Sequence, residues 1–140
     1  VVDPVRVHRL LRAVTDDLAR LECEAAADDT RRSDPMWLRG VKYTFVTAIE
    51  GCVDLAQHYC AAHGWGPPAD NGHAVRLLGE HGVLSTGLAA RIGRAVGFRN
   101  VLVHDYVDVD DAVVVERLGD VSDLREFVKA VAAYSSPLDS

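Results

Sequence analysis

Residues 99–106 read Arg-Asn-Val-Leu-Val-His-Asp-Tyr, and four of them carry chemistry: Arg99, Asn100, His104 and Tyr106. A guanidinium can neutralise the charge that builds on phosphorus, and an imidazole can move a proton near neutral pH. Arg followed five residues later by His therefore supplies two groups useful for cleaving a phosphodiester. Asn100 adds a carboxamide beside the Arg, and Tyr106 adds a phenol.

The helical period decides which of these groups can act together. At 100° per residue Asn100 and His104 share a face, whereas Arg99 and His104 stand about 140° apart. Arg99 falls on the line Leu88, Ile92, Val96, continued by Val103 and Tyr106, where the pattern asks for an aliphatic side chain. A charge there needs a partner or a polar cleft. Glu50 and Asp54, one turn apart on a preceding helix, are the candidate partners.

Gly93 and Gly97 lie on the Asn100–His104 line and leave a strip of bare backbone that another helix or a ligand can approach. One regular helix does not aim Arg99 and His104 at one atom. Either the helix loosens before Asp105, or a second copy supplies the missing group. A two-fold dimer packed along this face would gather two Arg–His pairs around one cleft, and that is the expected arrangement. On the residues alone a structural reading stays open. Arg99 could be an ion-pair residue holding a bundle together, His104 a helix-end residue favoured by the macrodipole, and Tyr106 a packing aromatic.

The elements that must position these groups are helical. In the first helix, opened by Asp3-Pro4, Val7, Leu10, Leu11, Val14, Leu18 and Leu21 step by threes and fours. The polar stretch Asp28 to Asp34 follows, and Asp34-Pro35 reads as an N-cap with proline at the first helical position. The next helix runs Trp37, Val41, Phe45, Ala48, Cys52, Leu55, Tyr59, with a second apolar line Tyr43, Val46, Ile49, Val53. So wide an apolar face suits a central helix or a dimer interface. Gly64-Trp65-Gly66-Pro67-Pro68 ends it. A short helix is expected around His73–Glu80, a longer one from Ser85 into the motif, and one or two closing helices over 112–118 and 121–134. The expectation is a single domain over residues 1–140, an all-α up-and-down bundle of four to five helices.

The 140 residues suit one core. The net charge is −6, and residues 100–140 carry all of it, with 3 Lys+Arg against 9 Asp+Glu. That balance argues against strong non-specific nucleic-acid binding and makes the acidic section a solvated face or a surface for a basic partner. Just upstream, Arg91, Arg94 and Arg99 form a short basic stretch where a phosphate is expected. Cys23, Cys52 and Cys60 are odd in number and unpaired in spacing, so they read as small buried residues rather than a disulfide framework. Cys60 and His63, with His58, His73 and His81 nearby in sequence, fall short of the two well-spaced ligand pairs of a structural zinc site, and no metal is expected. No apolar run is long enough for a membrane, and no basic-then-apolar leader pattern opens the chain, so a cytoplasmic setting is expected.

Arg-Asn-x-Leu-Val-His-x-Tyr resembles the signature of the HEPN superfamily, specifically the HepT-like toxins of bacterial toxin–antitoxin pairs. Tyr43-Thr-Phe-Val-Thr-Ala-Ile-Glu50-Gly-Cys-Val-Asp54 resembles that family's second helix. Leu77 to Leu84, Phe98, and Tyr106-Val-Asp-Val-Asp110 are similar to it as well, so the likeness covers most of residues 41–118. It implies a metal-independent endoribonuclease without cofactor, acting on RNA as a homodimer whose two motifs line one cleft. Arg99 and His104 are then the catalytic pair, with Asn100 the polar residue that follows the Arg; Glu50, Asp54 and Arg94 are possible supports. The expected product end is a 2′,3′-cyclic phosphate. Tyr106 matches the tyrosine to which the family's antitoxin, a small MntA-like nucleotidyltransferase, transfers AMP. A competing expectation is a catalytically idle helical subunit that binds a nucleotidyltransferase or a nucleotide. A third is an inert dimeric adaptor.

Overall fold

The computed structural model describes residues 1–104 and 109–135. Capping chemistry sets where its helices begin. Asp3 accepts from the Val5 and Arg6 amides and Pro4 follows, opening α1 (Pro4–Ala25). Asp34 and Pro35 do the same for α3 (Pro35–His63), which ends at Gly64 in the left-handed conformation, φ 69°. Asp70 caps α4 (Asn71–Glu80) and Asp110 caps α6 (Asp111–Leu118). The Ser85 hydroxyl accepts from the Leu88 amide at the start of α5 (Thr86–His104). The last described helix is α7 (Ser122–Tyr134).

The polar stretch between α1 and α3 holds one further turn, α2 (Asp29–Arg32). The Arg32 guanidinium donates to the carbonyls of Ala25 and Ala27, partnering acceptors that the end of α1 leaves open. Arg31 forks onto Glu24 at 2.6 and 2.7 Å, and Trp37 Nε1 donates to the same carboxylate at 2.9 Å. These three donors hold the Glu24 carboxyl down at about 2.

All described secondary structure is helical, as the period predicts, with the closing section and the polar link raising the number of helices to seven among the described residues. The seven seam positions of α3 from Trp37 to Tyr59 are all buried, and α3 packs on α1, α2, α4, α5 and α7. It is the central helix. The second apolar line is only half right: Ile49 and Val53 are buried, Val46 is half-buried and Tyr43 points outward.

α1 runs antiparallel to α3, with the Val1 amine at the Ala62 carbonyl and the Asp3 amide donating to His58 Nε2. Their crossing is close because of Gly51, where an added Cβ would come within 2.5 Å of Val14 Cγ2. α5 returns along α3, with the Phe45 and Phe98 rings edge to face at 5.4 Å. Lys42 of α3 then meets Asp111, beyond the motif, at 2.8 Å.

The acidic C-terminal section is a largely solvated face, with Asp110, Asp111, Glu116, Asp120 and Glu126 exposed, and ion pairs tie it to the bundle. Asp111 pairs with Lys42, Asp123 and Glu126 hold Arg91, and Arg125 pairs with Glu22. Cys52 and Cys60 are buried, which pushes both thiols up, while Cys23 is exposed. No helix among the described residues is long and apolar enough to cross a membrane.

Candidate active site

The described part of the motif, residues 99–104, occupies the last turn and a half of α5, where packing against α3 gives way to solvent. Leu88, Ile92 and Val96 are buried as the seam requires. Beyond Val96 the buried face departs from the expected line: Leu102 is 3% exposed, whereas Val103 is 42% exposed. The swing follows Phe98, which packs on Phe45 and lies under the Arg117 guanidinium of α6 at 4.8 Å. Tyr106, with the rest of 105–108, lies outside the described residues.

Arg99 keeps its seam position by pairing. Its side chain is 18% exposed, and Nη2 donates to Glu50 Oε1 at 2.7 Å, the Glu50 carboxylate being 44% exposed. Nη1 donates to Asn100 Oδ1 at 3.0 Å, so the carboxamide braces the guanidinium from its own helix. Nε is buried without a hydrogen-bond partner. A guanidinium has five N–H donors, so two bonds to protein leave capacity for an incoming anion.

Of the two candidate partners only Glu50 bonds to Arg99. Asp54 stands a turn further along α3, facing Arg6 of α1. Partial burial and the Glu50 charge raise its carboxyl above the ordinary value, with Arg6 pulling the other way. The register of α5 on α3 fixes this choice, and Asp54 is not an Arg99 ligand. The basic stretch divides in the same manner. Arg91 is held by Asp123 at 2.8 Å and Glu126 at 2.9 Å, which ties α5 to α7. That double pairing gives it a scaffold role. Arg94 is exposed on the outer face.

Asn100 and His104 are exposed on one face of α5. An added Cβ at Gly93 or Gly97 would meet nothing within 4 Å, so the strip leading to them is open. His104 is the last residue of α5, about 140° round the helix from Arg99. Chemically, the site offers a braced guanidinium for an anion and an accessible imidazole a helix edge away.

His8 is exposed on α1, and the four histidines of α3, α4 and the turns that follow them are engaged in packing and local bonds. The Trp65 ring lies between His63 at 4.4 Å and His81 at 4.2 Å, while His58 accepts from the Asp3 amide and His73 from the Ala69 amide. Among the described residues no group of three His, Cys, Asp or Glu is placed to hold a metal ion.

The sequence model of the family described as "Ribonuclease HepT-like" matches residues 10–131. An mRNA nuclease HepT from Shewanella oneidensis is 27% identical over 85 residues, which is 60% of this chain and 64% of that protein. The aligned stretch thus spans just under two thirds of that relative. An RNase candidate from Archaeoglobus fulgidus is 32% identical over 102 residues, 72% of this chain and 76% of its own. Among solved structures, the tri-AMPylated Shewanella oneidensis HEPN toxin in complex with MNT antitoxin superposes with a TM-score of 0.82 at 21% identity, covering 91% of this chain and 97% of that one. At that identity the likeness establishes the shared fold.

Proposed function

This chain belongs to the HepT-like ribonuclease family, and on that premise we propose that it is a metal-independent toxin endoribonuclease, checked by a nucleotidyltransferase antitoxin. The observation that carries the reading is the bracing of Arg99. A cation placed in an apolar seam, held from both sides by Glu50 and Asn100, is oriented for an anion beyond its own partners.

The chemistry runs by in-line transfer. The ribose 2′-oxygen attacks the adjacent phosphorus, the new P–O2′ bond forms and the P–O5′ bond breaks. His104 exchanges the proton, taken from the 2′-hydroxyl and supplied to the leaving 5′-oxygen. Arg99 holds the non-bridging oxygens as charge builds on them. Because Arg99 and His104 diverge on one helix, the site is completed by a second copy packed along the open Gly93–Gly97 strip, so that two motifs line one cleft. Arg94, exposed on that outer face, supports the RNA strand on the way in. AMP transferred by a MntA-like nucleotidyltransferase to Tyr106, beside the motif, would add bulk and negative charge where a phosphate must sit. The Shewanella toxin, AMPylated and bound to its MNT antitoxin, supports this reading.

The test is cleavage of RNA by the purified chain in EDTA. Cuts that persist and leave 2′,3′-cyclic phosphate ends support the mechanism; activity restored only by a divalent cation rejects it.

A further inference from the structure

We infer that Tyr43 is a base-stacking residue that sets which nucleotide lies beside the scissile phosphate, an inference that rests on the ribonuclease reading above. Tyr43 is 70% exposed on α3. Among the described aromatic residues it is the one that is neither buried nor in contact with another ring: Phe45, Tyr59, Trp65, Phe98 and Tyr134 all have ring partners. Trp37 and Phe127 are buried. A lone exposed ring is ordinary on a protein surface, so the reason for a role has to come from where it stands.

Its position supplies one. Tyr43 and Glu50 are seven residues apart, which puts them on the same side of α3, about 20° apart in azimuth and about 10.5 Å along the axis. Glu50 is the residue that holds Arg99. α5 runs antiparallel to α3, through Phe45–Phe98 and on to the Lys42–Asp111 pair, so the motif end of α5 lies beside the stretch of α3 that carries Tyr43. A strand whose phosphate sits on Arg99 thus has Tyr43 a nucleotide or two away.

The surroundings favour a base over an apolar partner helix. Arg39, Thr47 and Glu50 beside Tyr43 are polar, while Val46 is half-buried and Met36, two turns back, is exposed; the polar neighbours on the way to Arg99 suit a ligand with an apolar face and a polar edge. The charge balance points the same way. At a net −6 the chain gains little RNA affinity from phosphate neutralisation, so a non-electrostatic contact is needed. One base–aromatic stack supplies roughly a five- to hundredfold factor in affinity.

The experiment compares wild type, Tyr43→Leu and Tyr43→Phe on a random-sequence single-stranded RNA pool. Sequencing of the cleavage ends, steady-state kinetics and the solution mass of each protein are recorded. Wild type should show a base preference next to the cut. Tyr43→Leu should flatten it and raise KM about tenfold with kcat nearly kept, and Tyr43→Phe should restore both. Unchanged preference and KM in Tyr43→Leu would overturn the inference while leaving the ribonuclease reading intact. A changed solution mass in Tyr43→Leu would overturn it in favour of a subunit contact. A wild-type protein that cuts no RNA would reject the underlying reading, and the inference with it.

Discussion

Glu50 Oε1 lies 2.7 Å from Arg99 Nη2, joining the central helix to the motif helix at the point where the apolar seam of α5 is interrupted by a charge. Together with Asn100 Oδ1 on Nη1, this carboxylate fixes the plane of the guanidinium. Glu50→Gln keeps the shape and removes the charge, so Arg99 loses its anchor while the fold is retained. The expected outcome is a fall in kcat of roughly ten- to a hundredfold, as for a displaced phosphate donor. Glu50→Gln in an Arg99→Ala background should cost almost nothing more. Kinetics on the four proteins of this double-mutant cycle check both statements.

Two glycines carry opposite expectations. At Gly51 the Gly51→Ala methyl would lie 2.5 Å from Val14 Cγ2, so this variant should lose roughly 1–3 kcal/mol of stability. Val14→Ala combined with it should recover part of that loss, as read by chemical denaturation. At Gly97 nothing lies within 4 Å of an added Cβ, so Gly97→Leu should leave the monomer fold and thermal stability intact. If the strip is the dimer seam, Gly97→Leu should nevertheless halve the solution mass and abolish RNA cleavage together.

The Glu24 carboxyl sits at about 2 in the folded chain against 4.5 when free, with Arg31 the larger cause and Trp37 the next. A group lowered by folding stabilises above its unfolded value and loses that contribution as pH falls through the folded one. The Tm difference between wild type and Glu24→Gln should therefore be full above about pH 5 and should shrink steadily toward pH 2. A difference independent of pH would show that the Arg31–Glu24–Trp37 contact does not carry it.

AMP transfer to the motif should depend on one phenol. Incubated with ATP and a cognate nucleotidyltransferase, the wild-type chain should gain adenylyl mass, and Tyr106→Phe should gain none. Modification persisting in Tyr106→Phe would move the acceptor elsewhere.

How far these features could be read from the sequence follows from the range of the forces involved. The α3 seam was legible at all seven positions from Trp37 to Tyr59, because a long amphipathic helix repeats its signal every turn. The caps at Asp3 and Asp34 were legible because capping is local. The turn α2 was not, since its four residues are too few for a period and are held by Arg31 and Arg32 reaching back to α1. The same limit applied at the site. Sequence narrowed the Arg99 partner to Glu50 or Asp54, and only the register of α5 on α3 separates them. Arg91 looked like a phosphate ligand until α7 folded Asp123 and Glu126 against it. Tyr43 sat on an apolar line by spacing, yet its ring is left exposed in the bundle.

The central claim is that a His104-dependent reaction at this motif cuts RNA. The most direct test is to induce the wild-type chain and His104→Ala separately in cells lacking any partner, then to map new RNA ends and follow growth. Because His104 is exposed at the end of α5, His104→Ala should stay folded and soluble. The account predicts growth arrest and new cleavage ends with wild type alone. Intact RNA and normal growth with soluble, unmodified wild-type protein would contradict it, as would equal cleavage by both proteins.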